Sequence, residues 1–376
     1  MKRVEVSEEA FRKGRLVAPV IYQKHVKGDA EVGELVEVET EEGKFCALWD
    51  ATGPVRLRIL FWHECPGSVE EAIREVITKS FEVRRRNGAA DWDAYRLVNS
   101  DGDSFPGLIV DVYKDLAVLQ SSSLAVDKHL MKIASIVKEI TGVEAVAEKS
   151  SQRVRAKVGL PLRERMLIGN KKETVVDEEG VKFKVSLEGQ KTGLYLDQRE
   201  NRVYSERFAA GSKFLDAFSY TGGFGLHALK AGAREVTFVD EDPWALKVLK
   251  ENLRLNNFDE RKVKIVRSDA WKFFERAIKR GTEFDVGSVD PPALMDDYRD
   301  GYARYVRAFS GAAETIRSLA VLSSCSRSMD RNTFLKAIHQ AAAPNYRILE
   351  LRGSAPDHSV RLGLEDYLKV AFVYLR

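Results

Sequence analysis

Cys325 follows the apolar run Leu319 to Ser324 and precedes Ser326, so a thiol stands at the end of a strand between two hydroxyl residues. A lone cysteine is more often a small buried hydrophobe. At a strand end, flanked this way, it reads better as a nucleophile. Its natural companion is Asp290, which ends the run Val286 to Val289 and is followed by Pro291 and Pro292. A thiolate adding to C6 of a cytosine makes C5 enamine-like, and a carboxyl group at N3 stabilises the adduct. A base must then remove the C5 proton so that the thiolate can leave. Enzymes that methylate exocyclic amines place an aromatic residue after the two prolines to stack the base. Ala293 stands there instead, which argues against that chemistry. The competing reading of Asp290-Pro291-Pro292 is a rigid turn.

The cofactor residues form a second set. One strand end carries Asp216-Ala217-Phe218-Ser219-Tyr220-Thr221-Gly222-Gly223-Phe224-Gly225, the next Asp240, and the third Asp269-Ala270. Gly223, Gly225 and Ala228 fit a dinucleotide spacing, but the glycines start too late after Phe218 to bring a pyrophosphate onto the helix N-terminus. S-adenosylmethionine has no phosphate and carries a sulfonium and an ammonium, so Asp216 suits it better. Asp240 can accept from the ribose hydroxyls and Asp269 from the adenine amino group, with the Ala270 N–H on a ring nitrogen. A single carboxylate at a strand end is usually a helix cap; three at successive ends point to a ligand.

Strand and helix alternate from about residue 186 onward, which predicts a parallel, doubly wound α/β sheet that presents these strand ends on one edge. Before it, residues 1–68 read as short strands. Val55, Leu57 and Ile59 alternate with Arg56 and Arg58, predicting basic side chains on an open face. Residues 69–185 read as α+β, with Ser68 as a helix cap, strands at Leu108–Val110 and Leu116–Leu119, and one helix over 124–140. The expected domains are therefore 1–68, 69–185 and 186–376, consistent with a length of 376 residues.

At 44% hydrophobic, the composition predicts a globular chain with ordinary cores. The longest apolar runs fall short of a membrane span, and the polar start predicts no signal peptide. The three cysteines, Cys46, Cys65 and Cys325, lack metal spacing and are odd in number. The expectation is no disulfide framework, no metal, and a cytoplasmic location. With 60 Lys+Arg against 57 Asp+Glu, a nucleic-acid partner would have to be met by local patches. The candidates are Arg84, Arg85 and Arg86, then Arg153 and Arg155 with Lys157, and Lys171-Lys172.

The run from Gly189 to Arg202, Arg96 to Asn99 with Phe105 to Asp111, Ser324-Cys325-Ser326, and Asp357-His358 with Tyr367-Leu368-Lys369 form one further set of motifs. Together they resemble the class I 23S rRNA (cytosine-C5) methyltransferases that carry an N-terminal PUA domain. The resemblance implies a PUA barrel at about 1–68, a middle domain, and a Rossmann-like methyltransferase domain. It also implies that Tyr195, Asp197 and Gln198 lie near the cofactor. The chain departs from the family in three places. Gly14 to Pro19 lacks an aromatic-rich stretch, Ala293 replaces a frequent Lys, and Ser359 replaces a frequent Pro.

The leading expectation is an S-adenosylmethionine-dependent RNA cytosine-C5 methyltransferase with Cys325 as nucleophile. Its expected partner is RNA, not a membrane, and a homodimer is compatible with it. Methylation of another base or atom, an RNA-binding assembly factor with a degenerate pocket, and an NAD oxidoreductase are the alternatives.

Overall fold

The computed structural model describes residues 1–10, 19–40, 43–189, 193–295, 298–361 and 363–375. Residues 14–18 and 190–192, on which two of the sequence expectations fall, lie outside them. The chain forms two compact units, and neither is a contiguous stretch. The first comprises residues 1–176, 185–196 and 356–365; the second comprises 177–184, 197–355 and 366–376.

The first unit holds two sheets. In the first sheet the order is β2-β6-β5-β4-β1-β3, from β1 (Lys2–Val6), β2 (Val20–Tyr22), β3 (Val26–Lys27), β4 (Leu35–Thr40), β5 (Gly43–Trp49) and β6 (Val55–Phe61). Successive side chains of β5 point to opposite faces. Phe45, Ala47 and Trp49 fill one core with Val36, Val38, Leu57 and Ile59. Cys46 and Leu48 join a second core with Ala72, Ile73 and Ile77 of the helix Val69–Arg86. Both faces of β5 are buried, so residues 1–68 share a core with the helix that comes after them in the chain.

Two sequence expectations are corrected here. Arg58 does not lie on an open face: it is buried, and its Nε donates to Asp50 Oδ2 at 2.5 Å. Asp50, just beyond the end of β5, is fully buried, and the guanidinium compensates its charge. Cys46 and Cys65 form a disulfide, because the sheet brings their Cα atoms to 4.9 Å although 19 residues separate them in sequence.

The Ser68 cap is present, its Oγ accepting from Glu71 N at 3.2 Å. The second sheet has the order β11-β10-β9-β8-β7, from β7 (Ala94–Asn99), β8 (Leu108–Tyr113), β9 (Leu116–Ser121), β10 (Ala145–Ser150) and β11 (Arg163–Ile168). The helix expected over 124–140 is two, Leu124–Lys128 and Leu130–Thr141. His129 interrupts them, and its ring bonds the Gly33 carbonyl at 2.7 Å. A hairpin comes next, β12 (Glu173–Glu178) and β13 (Val181–Ser186).

The second unit is built on a seven-stranded sheet of order β16-β15-β14-β17-β18-β20-β19. Its strands are β14 (Lys213–Ala217), β15 (Glu235–Asp240), β16 (Val263–Arg267), β17 (Phe284–Val289), β18 (Ile316–Ser324), β19 (Arg347–Arg352) and β20 (Lys369–Tyr374). β14 to β18 are mutually parallel, as the alternation predicts. β20 runs antiparallel to both β18 and β19, so six of the seven strands point one way and the expectation of a parallel sheet fails at β20. No helix is described between β19 and β20, and without a crossover the chain returns antiparallel. Among the described residues no helix is long and apolar enough to cross a membrane.

Candidate cofactor and catalytic site

β14 delivers Asp216 just before its end. Phe218 (φ 62°), Tyr220 (φ 49°) and Gly222 (φ 94°) then enter the left-handed region, folding the chain tightly into the helix Gly223–Lys230. Two non-glycine residues in that region mark a strained turn, the kind that clusters at ligand sites. A Cβ on Gly222 would run into Leu249, and one on Gly225 into the Phe238 ring, so these glycines let the helix sit directly on β15.

Asp216 is buried, with Oδ2 accepting from Gly225 N and Oδ1 from Ser288 Oγ, both at 2.8 Å. Burial pushes its carboxyl up to about 7, and the charges of Asp290 and Asp240 add to the rise. Asp240, half-buried, accepts from Tyr220 N at 2.8 Å and Asp242 N at 2.9 Å; burial raises its pKa too. Asp269 caps the helix Ala270–Lys279, accepting from Lys272 N at 2.9 Å. All three carboxylates thus brace local backbone, and Asp269 is the helix cap that any one of them could have been. Ser219 Oγ is buried in the same turn with no hydrogen-bond partner among the described residues.

Two aromatics that the sequence reading passed over flank this turn. Phe218 meets Trp271 edge-on at 4.9 Å, and the Arg304 guanidinium lies 4.7 Å from the same indole. Tyr220 lies 6.1 Å from Trp244. The available signal was adjacency: Trp271 follows Asp269-Ala270, and Trp244 follows Asp242-Pro243. Phe224 is buried at the start of the helix behind Gly222 and Gly223.

The Gly189–Arg202 stretch contributes to both units. Tyr195 belongs to the first. In the second, Asp197 is buried and accepts from Tyr367 Oη at 2.7 Å. Gln198 donates to Ser323 Oγ at 3.1 Å and accepts from Asn201 Nδ2 at 2.8 Å. Its amide therefore ties the helix Arg199–Ser205 to the last turn of β18, two residues before Cys325. Arg202 makes a buried bidentate pair with Glu178, both contacts 2.6 Å, and its side chain packs under Gly223. Despite burial, Arg202 holds the Glu178 carboxyl well below its usual range, with His227 assisting.

Cys325 is half-buried at the end of β18 and stands outside the disulfide that joins the other two cysteines. Its Sγ lies 4.0 Å from the Pro291 carbonyl, in the loop that begins at Asp290. Ser326 Oγ accepts from Leu294 N at 3.1 Å, and Lys369 Nζ donates to the Ser326 and Tyr367 carbonyls at 3.0 Å each. The two sequence-predicted catalytic residues thus sit on loops bonded to one another at neighbouring strand ends.

The basic candidates divide. Arg84 is fully buried, bonded through both terminal nitrogens to Asp103 (2.5 and 2.7 Å) and to the Asp357 carbonyl at 2.6 Å. Arg155 is equally buried on Asp127 at 3.0 and 2.5 Å. Neither can meet RNA; each compensates a carboxylate in the fold. Arg85, Arg86 and Arg153 are exposed. His358 is buried against Asp357, its Nδ1 2.8 Å from Oδ1.

Residues 161–353 match the family described as S-adenosylmethionine-dependent methyltransferases. A ribosomal RNA large subunit methyltransferase I of Tolumonas auensis is 32% identical over 369 residues, 91% of each chain. The chain belongs to the S-adenosylmethionine-dependent methyltransferase family. A ribosomal RNA large subunit methyltransferase I of Aeromonas hydrophila is 32% identical to this chain over 387 residues, 95% of each. A solved structure assigned as a methyltransferase in complex with S-adenosylhomocysteine has the same fold, with a TM-score of 0.83, 22% identity and full coverage of both chains. The turn suits the cofactor of this methyltransferase. Among the described residues Ser219 offers an unsatisfied hydroxyl, and Asp216 and Asp240 are carboxylates with no ion pair.

Proposed function

We propose that the protein methylates C5 of a cytosine in large-subunit ribosomal RNA, in the cytoplasm, through a covalent adduct with Cys325. The observation that carries this is the Cys325 thiol held beside the Asp290-Pro291 loop, with only β17 between its strand and that of the glycine turn. The names of the relatives supply the RNA class.

S-adenosylmethionine, bound at the turn, supplies an electrophilic methyl group. Asp240 would hold the ribose hydroxyls, Asp269 and the Ala270 N–H the adenine beside Phe218 and Trp271, and Ser219, Tyr220, Gly222 and Gly223 would line the methionine end. Asp216 and Phe224 would act from beneath, shaping the turn, and Asp197 and Gln198 would brace the edge near Ser323. Tyr195, in the first unit, is assigned to the cofactor by the resemblance alone. The Cys325 thiolate forms a bond to C6, and the C5–C6 π pair moves onto C5 while Asp290 steadies the charge at N3. Once C5 carries the methyl group, a base takes its proton, the double bond re-forms and the thiolate leaves. Residues 1–68 would serve as a PUA-type RNA-binding module and the second sheet would position substrate, with Arg85, Arg86 and Arg153 as phosphate contacts.

The test is nucleoside mass spectrometry of large-subunit rRNA incubated with protein and cofactor. 5-Methylcytidine is expected, absent with Cys325→Ala. A methyl group on a nitrogen, or on another base, would overturn the reading.

A further inference from the structure

The helix Tyr298–Thr315 sends Tyr305 beneath the two catalytic loops. The ring is fully buried, packed with Leu294, Phe309 and Phe334 in the core of the second unit. A phenylalanine would fill that volume, so the hydroxyl must be accounted for separately: buried without partners it would destabilise the fold. It has partners on both loops. Tyr305 Oη lies 2.9 Å from Ser326 Oγ and 3.3 Å from the Pro292 carbonyl.

The direction of donation follows from the proton count. The Pro292 carbonyl can only accept, and the phenol has one proton, so Tyr305 donates to Pro292 and the Ser326 hydroxyl donates to Tyr305. Ser326 Oγ in turn accepts from Leu294 N. The chain of bonds runs from the Leu294 N–H through Ser326 and Tyr305 to the Pro292 carbonyl. It starts and ends on the loop after Asp290 and passes through the residue next to Cys325. Burial, with the Cys325 charge adding, pushes the phenol up to about 12, so the donor stays protonated.

We propose that Tyr305 is a positioning residue which, through Ser326, locks the Asp290 loop to the Cys325 loop and thereby sets thiolate and carboxyl at the separation that one pyrimidine ring requires. This rests on the roles proposed for Cys325 and Asp290. Two anchors on rigid elements achieve what the loops cannot do alone, and small misplacements of reacting groups carry large rate penalties.

The experiment compares Tyr305→Phe, Ser326→Ala, the double variant and Cys325→Ala in full-length protein. Each is assayed for single-turnover methyl transfer to rRNA, for the KM of RNA, and for S-adenosylmethionine affinity by calorimetry. Tyr305→Phe and Ser326→Ala should each lower the transfer rate roughly ten- to hundredfold. Cofactor affinity and KM should stay within about twofold, and the double variant should be no slower than the slower single, because one chain of bonds is cut once or twice. A Tyr305→Phe rate within about twofold of the parent, or losses that multiply in the double variant, would overturn the proposal. If Tyr305→Phe loses cofactor binding, its role is structural and the proposal is likewise overturned. A dead Cys325→Ala beside a normal Tyr305→Phe rejects the lock alone. A fully active Cys325→Ala rejects the adduct reading, and the lock with it.

Discussion

Asp50 and Asp216 are both buried aspartates near the ends of strands, and their carboxyl groups are held in opposite ways. Asp50 accepts from Arg58, Thr52, Ser123 and the Ala51 and Ala125 N–H groups. Burial pulls its pKa upward, but the Arg58 charge and these bonds bring it below the usual range. Asp216 has one N–H, one hydroxyl and two neighbouring carboxylates, and its pKa rises. The pattern extends beyond the pair. In the first unit Asp103, Asp111 and Asp127 each face a well-buried arginine. Around the glycine turn Asp216 and Asp240 do not. The carboxylates of the first unit come with their cations; under the function proposed above, those at the turn leave the positive charge to a ligand.

The largest effect should come from breaking the paired case. Arg58→Ala strands the Asp50 charge in the core and should cost about 3–5 kcal/mol in urea unfolding. Asp216→Asn keeps the shape, its amide oxygen still accepting from Gly225 N and its amide nitrogen donating to the Ser288 hydroxyl instead, so it should cost less than about 1 kcal/mol while cofactor affinity falls about tenfold or more. Equal stability losses would erase the distinction.

Next in size is the pH dependence. A raised carboxyl such as Asp216 favours the fold fully below its unfolded value of about 4, and that contribution is lost as pH rises through about 7. Asp50 works in reverse: its contribution is present above that unfolded value and fades as pH falls through its depressed pKa. A cationic ligand favours ionised Asp216. S-adenosylmethionine affinity should therefore climb between about pH 6 and 8, by up to about tenfold. S-adenosylhomocysteine, lacking the sulfonium, should show a shallower slope in the same titration. Parallel slopes would remove Asp216 from cofactor recognition.

The smallest effect separates neighbours on one helix. Arg85→Glu with Arg86→Glu should weaken RNA binding several-fold, flatten its salt dependence and leave the melting temperature near that of the parent. Arg84→Ala should lower the melting temperature, since it uncovers Asp103.

The strand ends were legible because β14 to β18 announce themselves as apolar runs, each closed by a chemically marked residue. The Ser68 cap was legible for the same local reason. What escaped depends on partners far away in sequence. Arg58 reads as a solvent-facing strand residue until Asp50 folds beside it. Arg84 reads as one third of a basic triplet, although helical spacing turns it inward from Arg85 and Arg86. Cys46 and Cys65 carry no spacing signal, and the antiparallel return of β20 is decided by the missing crossover rather than by its own residues. Tyr305, buried in a helix, looks like any core aromatic, because its role rests on loops on either side in sequence.

The central claim is that Cys325 bonds covalently to a cytosine, and the most direct measurement is the intact mass of protein incubated with S-adenosylmethionine and rRNA containing 5-fluorocytidine. The fluorine blocks the final proton removal, so a stable protein–RNA adduct is expected with the parent. No adduct is expected with Cys325→Ala, which should still bind the cofactor. An adduct that survives in Cys325→Ala, or methyl transfer that proceeds without Cys325, would contradict the account.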